Sequence, residues 1–181
     1  MSRLAYAVAA LAALAATAGP AVVKMPPLLL WNASASAPIG LYAVRKTGLP
    51  AAGDLEIIEP PAPVARFVAE RGYLPSGVPM LKHIEALPGQ KVCRIGRLIT
   101  VDASALGVAL ERDRKGRALP AWQGCRIIGA GEIFVMNRTV ADSLDGRYFG
   151  PFPATSIVGR AVPLWTDEQG DGRYVWFAPA P

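Results

Sequence analysis

Prolines and glycines interrupt this chain throughout, and their number constrains the fold more strongly than any other feature. The 181 residues include 17 prolines and 18 glycines. Because these residues end helices and form turns, their density argues against a helical bundle and favours a β-rich domain with many loops. Hydrophobic residues make up 52% of the chain, which is enough to bury a core. The length suits one compact domain plus an anchor.

The N-terminal segment contains an apolar run over residues 4–23 without a charged residue. About twenty residues is the length that a helix needs to cross a membrane. A rival interpretation is a cleaved signal peptide, because residues 16–18 resemble a small-x-small cleavage site. We predict one retained transmembrane helix, with residues 1–25 as the anchor and residues 26–181 as a domain outside the cytoplasm.

The net charge of +5 raises the question of nucleic-acid binding. The basic residues are scattered, however, except for one dense run at residues 112–117. That run includes Asp113 and a glycine, as expected for a solvated loop, and no nucleic-acid motif accompanies it. We therefore expect the basic surface to face an anionic membrane and not a nucleic acid.

Local patterns predict several short strands and one helix. Apolar or alternating runs bounded by turn residues predict strands, and Gly96-Arg97 suits a hairpin turn between two of them. The predicted strands cover residues 40–44, 54–58, 80–86, 91–95, 98–101, 133–136, 158–165 and 173–177, and the helix covers residues 64–73. Residues 103–124 are predicted to form a less regular insertion.

The two cysteines, Cys93 and Cys125, are too few for a disulfide framework and lack the spacing of metal ligands. They form either one bridge outside the cytoplasm or two buried thiols, and the sequence leaves both interpretations open.

Lys82 is the first residue with potential chemistry. Alternation along the predicted strand puts it on the same face as Met80 and Ile84. One interpretation is that it lies on an edge strand and extends its ammonium into solvent. The other is that desolvation lowers its pKa from roughly 10.4 toward neutrality. A neutral amine can take a proton from a serine hydroxyl, which permits Ser–Lys catalysis without histidine.

His83 is the single histidine, and on a strand it points away from the face that carries Lys82. A Ser-His-Asp triad needs the histidine on the same face as the serine, and a zinc site needs further ligands. We interpret His83 as structural.

Two polar segments could supply the remaining groups. Small residues surround Ser34 and Ser36, so this segment is either a linker or a loop that presents a hydroxyl. Further along, Ser143, Asp145 and Arg147 alternate. This second segment is either a capped polar turn or a site in which serine orients an amine and an Asp–Arg pair braces the loop.

Three motifs in order resemble the signal peptidase I (S26) family of serine peptidases. They are Ser-x-Ser-x-Pro-x-Gly-x-Tyr at 34–42, Leu-Lys-His-Ile-x-x-Leu-Pro-Gly at 81–89 and Asn-Arg-x-x-x-x-Ser-x-Asp-x-Arg-Tyr-Phe-Gly at 137–150. With the apolar N-terminus, the resemblance extends over about residues 1–165. The first motif is most similar to the TraF-type branch, which matures conjugative pilin subunits.

The resemblance implies a role for each of these residues. Ser36 would be the nucleophile and Lys82 the general base. The Ser34 hydroxyl and the Ser36 backbone amide would form the oxyanion hole, and Ser143 would orient Lys82. The Asp–Arg pair, Asp145 and Arg147, would support the site structurally.

Two departures separate the chain from housekeeping signal peptidases. Pro38 lies two residues after the nucleophile position instead of three, and Gly146 replaces the serine of their Asp-Ser-Arg motif. Both weaken assignment to the housekeeping enzyme and leave the implied roles of Ser36 and Lys82 in place.

The resemblance predicts a mainly β, signal-peptidase-like catalytic domain on the periplasmic side of the bacterial inner membrane, without cofactor or metal. Its substrate would be a pilin precursor or another signal-peptide-bearing protein, cut by hydrolysis or closed into a ring by its own amine. Alternatives are a general type I signal peptidase, a non-catalytic β-domain that scaffolds a secretion complex, and a cytosolic Ser–Lys repressor. The apolar N-terminus and the lack of a DNA-binding segment argue against the last.

Overall fold

The structure is a computed structural model that describes residues 3–22 and 28–179. Its helices are α1 (Arg3–Val22), α2 (Ala62–Glu70) and α3 (Gly146–Phe149), with a 3-10 turn at Ala154–Ser156. Its strands are β1 (Leu29–Asn32), β2 (Ile39–Arg45), β3 (Leu55–Ile58), β4 (Met80–Ala86), β5 (Lys91–Ile95), β6 (Leu98–Val101), β7 (Ser104–Val108), β8 (Gly124–Ile127), β9 (Glu132–Val135), β10 (Phe152–Pro153), β11 (Ile157–Asp167) and β12 (Val175–Trp176). The mainly β class predicted from the sequence is confirmed.

The larger sheet has the strand order β1-β2-β11-β3-β4-β9-β10, and β12 pairs with β11. All of its pairings are antiparallel. The long strand β11 joins the N-terminal hairpin β1–β2 to the strands that carry the rest of the site. The strands predicted over residues 158–165 and 173–177 form a closing hairpin, in which Trp165 pairs with Trp176.

The smaller sheet has the order β7-β6-β5-β8. The predicted β5–β6 hairpin is confirmed, with Ile95 opposite Leu98. The stretch predicted to be less regular contributes the whole of β7 to this sheet. Cys93 and Cys125 lie opposite each other on β5 and β8 and form a disulfide. Of the two interpretations left open by the sequence, the bridge is the one observed.

Strand β4 is buried on both faces, because it lies between β3 and β9 and is covered on each side. Met80 and Ile84 pack in one apolar cluster with Val64 and Val68 of α2. Leu81 packs in another cluster, which includes Tyr42. Because β4 is not an edge strand, the structure excludes the first of the two interpretations of Lys82, in which its ammonium extends from an edge into solvent.

Helix α1 covers most of the apolar N-terminal run. Within the described residues, no helix combines the length and the hydropathy that a membrane crossing requires. Strand β1 follows this helix and was not predicted from the sequence. It is a four-residue edge strand whose exposed Leu29 and Trp31 alternate with the inward-facing Leu30 and Asn32, and it is too short for this alternation to stand out in the sequence.

Candidate active site

The serine segment forms a tight loop between β1 and β2. The buried Asn32 at the end of β1 holds it from inside, since its Nδ2 donates to the backbone carbonyls of Ser34, Ala37 and Pro38 at 2.9–3.0 Å. The phenol of Tyr42 also donates to the Pro38 carbonyl, at 2.7 Å. These bonds fix the loop, as required of a segment that presents a hydroxyl.

Gly40 follows this loop at a position that only glycine fits. Its φ is +151°, and a Cβ there would lie 2.2 Å from the carbonyl oxygen of Trp165 on β11. The glycine of the first motif therefore allows β2 and β11 to approach closely at the base of the loop.

The two serine hydroxyls lie side by side, with 3.1 Å between the Oγ atoms of Ser34 and Ser36. Ser34 is exposed and Ser36 is half-buried. The Ser34 hydroxyl also donates to Asn32 Oδ1 at 3.1 Å. In the described part of the chain, no acceptor bonds the backbone N–H of Ser36. The Ser36 N–H is thus a donor close to the Ser36 oxygen, and the Ser34 hydroxyl becomes a second donor when its proton rotates from Asn32 Oδ1 toward that oxygen.

Lys82 is buried, with 3% of its surface exposed. Its Nζ donates to Ser143 Oγ at 2.8 Å. Desolvation by burial lowers the pKa of Lys82 to about 8; the negative charge of Asp145 opposes this shift, and the positive charge of Arg147 adds to it. The neutral amine is therefore a minor form at pH 7 and becomes the major form above about pH 8.

Asp145 and Arg147 form a fully buried, bidentate ion pair. Arg147 Nε donates to Asp145 Oδ1 at 2.8 Å and Nη2 donates to Oδ2 at 3.0 Å. The guanidinium also donates to the carbonyls of Asn137 and Ala141. The pair thus braces the turn that carries Ser143, and Asp145 caps the short helix α3 as well.

Gly146, the departure from the housekeeping motif, has a steric cause. A Cβ at this position would lie 2.6 Å from the ring of Phe134 and 2.8 Å from the carbonyl oxygen of Val135. The packing of α3 against β9 therefore excludes the serine found at this position in the housekeeping enzymes.

Four of the predicted residues line one cleft of about 500 Å³, namely Ser34, Ser36, Lys82 and Ser143. Its walls are partly apolar, with Met80 and Leu144 among the lining residues. The basic run at residues 112–117, predicted to be a solvated loop, also lines this cleft through Lys115 and Arg117. Sequence analysis missed this placement, because only the tertiary fold brings the run to the site.

His83 borders a second cleft, of about 770 Å³, which also reaches Ser36. The ring Nδ1 of His83 lies 3.1 Å from Asn137 Oδ1, and its buried Nε2 has no partner within the described residues. His83 is therefore not hydrogen-bonded to Ser36 or Ser34. Within the described chain, no group of three or more His, Cys, Asp or Glu side chains has the arrangement of a metal site.

The chain is similar in sequence to a known family and to several of its members. The family model described as "Signal peptidase, peptidase S26" matches residues 1–165. The chain is 35% identical over 147 residues to the conjugal transfer protein TraF of Agrobacterium fabrum, covering 75% of this chain and 81% of that protein. It is 36% identical over 148 residues to the probable conjugal transfer protein TraF of Sinorhizobium fredii, covering 75% and 76%. A signal peptidase I structure from Enterococcus faecalis aligns with a TM-score of 0.38 and 17% identity, covering 64% of this chain and 98% of that one.

Proposed function

This chain belongs to the signal peptidase family, peptidase S26, and we propose that it is a membrane-anchored serine endopeptidase in which Ser36 is the nucleophile and Lys82 the general base. The observation that carries the proposal is the environment of the Lys82 amine. Its amine is buried beside Ser143, has a pKa near 8 and shares a cleft with the Ser36 hydroxyl. A lysine that only stabilised the fold would be expected to pair with a carboxylate.

The proposed first half-reaction forms an acyl-enzyme. Neutral Lys82 takes the proton of the Ser36 hydroxyl while Oγ attacks the scissile carbonyl carbon. The Ser36 backbone N–H and the Ser34 hydroxyl donate to the resulting oxyanion. The carbon–nitrogen bond then breaks, and the Lys82 ammonium returns the proton to the leaving amine.

The second half-reaction releases the acyl group. Water attacks the ester carbonyl and gives its proton to Lys82, and the Ser36 oxygen leaves and is reprotonated. An amine of the substrate in place of water would form an amide and close a ring. Throughout the cycle Ser143 holds the lysine amine, and the Asp145–Arg147 pair holds the turn of Ser143.

We assign the substrate class by the relatives. The curated relatives are named as conjugal transfer proteins, so the proposed substrate is a pilin precursor or another exported protein of a conjugative system. The specific alternative is a general signal peptidase, which would cut many unrelated precursors. Cleavage of a pilin precursor compared with an unrelated secretory precursor distinguishes the two.

The proposed anchor is the N-terminal segment of residues 1–25, with residues 26–181 on the periplasmic side of the inner membrane. Although α1 lacks the combined length and hydropathy of a membrane-spanning helix within the described residues, the absence of charged residues over residues 4–23 supports this arrangement. So do the exposed rings of Trp31, Trp176 and Phe177, since aromatic side chains favour the membrane–water interface. Deleting residues 1–24 should release a folded protein from the membrane fraction. A mature protein whose sequence began at Gly19 would show cleavage after Ala18 and contradict the anchor.

The proposed activity is tested with a purified precursor that has small residues one and three positions before a cleavage site. Incubation with the wild type should yield a new N-terminus at that site, whereas the Ser36→Ala variant should leave the precursor intact. The same membrane content and the same far-UV circular dichroism in both proteins are the control. A Ser36→Ala variant that cuts at the wild-type rate would contradict the proposal.

A further inference from the structure

Asn137 is a buried residue that lies where three segments of the candidate site meet. It is 2% exposed and follows β9 by two residues. Neither the motif roles nor the reaction above assign it a task. Its side chain and its backbone nevertheless contact the serine loop, strand β4 and the Asp145–Arg147 pair.

Both the nitrogen and the oxygen of the Asn137 side-chain amide form hydrogen bonds. Its Nδ2 donates to the backbone carbonyl of Ser36 and, at 3.0 Å, to the backbone carbonyl of Leu81. Its Oδ1 accepts from the backbone N–H and lies near the ring Nδ1 of His83, each at 3.1 Å. Leu81 and His83 are the two neighbours of Lys82, so the Asn137 amide is hydrogen-bonded to β4 on both sides of the lysine.

The backbone of Asn137 is fixed independently of its side chain. Its N–H donates to Asp145 Oδ2 at 3.1 Å, and its carbonyl accepts from Arg147 Nη2 at 2.6 Å. The buried ion pair thus sets where the amide points, because it holds the main chain from which the amide extends.

The bond to Ser36 connects the serine loop to the rest of the site. Residues 33–38 form several hydrogen bonds with Asn32 and Tyr42, which belong to the same hairpin. Within the described chain, the bond from Asn137 is the one hydrogen bond that reaches these residues from outside that hairpin. Ala37 of this loop also packs in one apolar cluster with Leu81 of β4. The amide therefore adds the polar link that fixes the Ser36 loop relative to the Lys82 backbone.

We propose that Asn137 is a positioning residue that holds the Ser36 loop against the backbone on both sides of Lys82. In this position the Ser36 hydroxyl and the Lys82 amine keep the relative orientation that proton transfer requires. This inference rests on the proposed Ser–Lys function. Asn137 does not touch the reacting atoms; it acts through the Ser36 carbonyl and through Leu81 and His83. Misplacing reacting groups by about 1 Å can cost roughly 100-fold in rate, so the amide should matter for the chemical step more than for substrate binding.

The test compares Asn137→Asp and Asn137→Ala with the wild type on the precursor used above. Asn137→Asp keeps the size and the acceptor toward His83 and removes the two donors toward Ser36 and Leu81. The matched control is Tyr148→Phe, which removes a buried hydroxyl that accepts from the Leu110 N–H at 3.0 Å; among the described residues, this hydroxyl has no hydrogen bond to Ser36 or to β4. The kcat and KM values are measured per folded molecule, with the folded fraction taken from circular dichroism.

A positioning role predicts that kcat falls roughly 10- to 100-fold in both Asn137 variants while KM stays at the wild-type value. The pH midpoint of kcat should stay in place for Asn137→Ala, because the bond between Lys82 and Ser143 remains. Equal kcat per folded molecule in the Asn137 variants and in Tyr148→Phe would overturn the inference and show a purely structural residue. A wild type that fails to cut the precursor would instead overturn the proposed function, and this inference with it.

Discussion

The amine of Lys82 donates to the hydroxyl of Ser143 at 2.8 Å, and this bond joins residues that are 61 positions apart in the chain. It links β4 to the turn braced by the Asp145–Arg147 pair. The bond is the main polar contact of a buried amine, so it fixes the direction in which the lone pair of the neutral amine points.

Removing this acceptor tests how far the orientation of Lys82 matters. Ser143→Ala should lower kcat by roughly 10- to 100-fold, because the amine keeps its burial and loses its alignment. The protein should remain folded, since removing the hydroxyl and leaving the buried amine without this acceptor costs about 1–3 kcal/mol. Ser156→Ala, at a buried serine that does not line the cleft, is the control. Equal losses in both variants would show that Ser143 has no specific role.

The pH dependence of activity follows from the lowered pKa of Lys82. Because the pKa is about 8, the neutral base forms as the pH rises through that value. The kcat/KM for precursor cleavage should therefore rise with a midpoint near pH 8. A midpoint near 6.5, the ordinary value for histidine, would indicate a different base.

The same shift predicts how stability changes with pH. Between the folded pKa of about 8 and the unfolded value of roughly 10.4, the unfolded chain binds a proton that the folded chain does not. The free energy of unfolding should therefore rise with pH across this window in the wild type relative to Lys82→Met, which lacks the amine. Urea unfolding of both proteins at several pH values measures the difference. If the free energies of unfolding of the two proteins changed in parallel with pH, the pKa of Lys82 would be the same in the folded and the unfolded chain.

The disulfide between Cys93 and Cys125 closes a loop with a sequence separation of 32. Replacing both cysteines with serine should lower the free energy of unfolding by about 2–4 kcal/mol, because the unfolded chain gains freedom. The denatured, non-reduced wild type should contain no free thiol. Two thiols per chain in that assay would contradict the bridge.

Gly146 offers a test of the packing beneath the site. Gly146→Ser should lower the free energy of unfolding by about 1–3 kcal/mol, since the added Cβ meets the Phe134 ring and the Val135 carbonyl. Gly131→Ser is the control, because a Cβ there meets no atom within 4 Å. Thermal unfolding of both variants measures the difference in stability. A Gly146→Ser variant as stable as Gly131→Ser would show that α3 can shift away from β9.

The sequence predicted those features that depend on local pattern. Alternation placed Lys82 and His83 on different faces, and the two residues border different clefts. Turn residues located the β5–β6 hairpin, and the family resemblance implied which serines line the same cleft as the lysine. These signals are readable because each depends on the spacing of residues within one segment.

Other features depend on contacts between distant segments and left no local signal. The basic run at residues 112–117 reads as an ordinary surface loop, and only the fold brings it to the cleft. Asn137 reads as a turn residue, and its amide becomes informative only when Ser36 and β4 lie beside it. The choice between a bridge and two thiols was open because β8, which pairs Cys125 with Cys93, carries too few residues for a recognisable strand pattern.

The central claim is that Lys82, and not His83, is the base that activates Ser36. The most direct measurement is the kcat/KM for precursor cleavage by Lys82→Arg, with His83→Ala measured in parallel. Arginine stays protonated and cannot accept the serine proton, so Lys82→Arg should show no detectable cleavage while remaining folded. His83→Ala should retain most of the wild-type activity. Full activity in Lys82→Arg, or a folded but inactive His83→Ala, would contradict the Ser–Lys account.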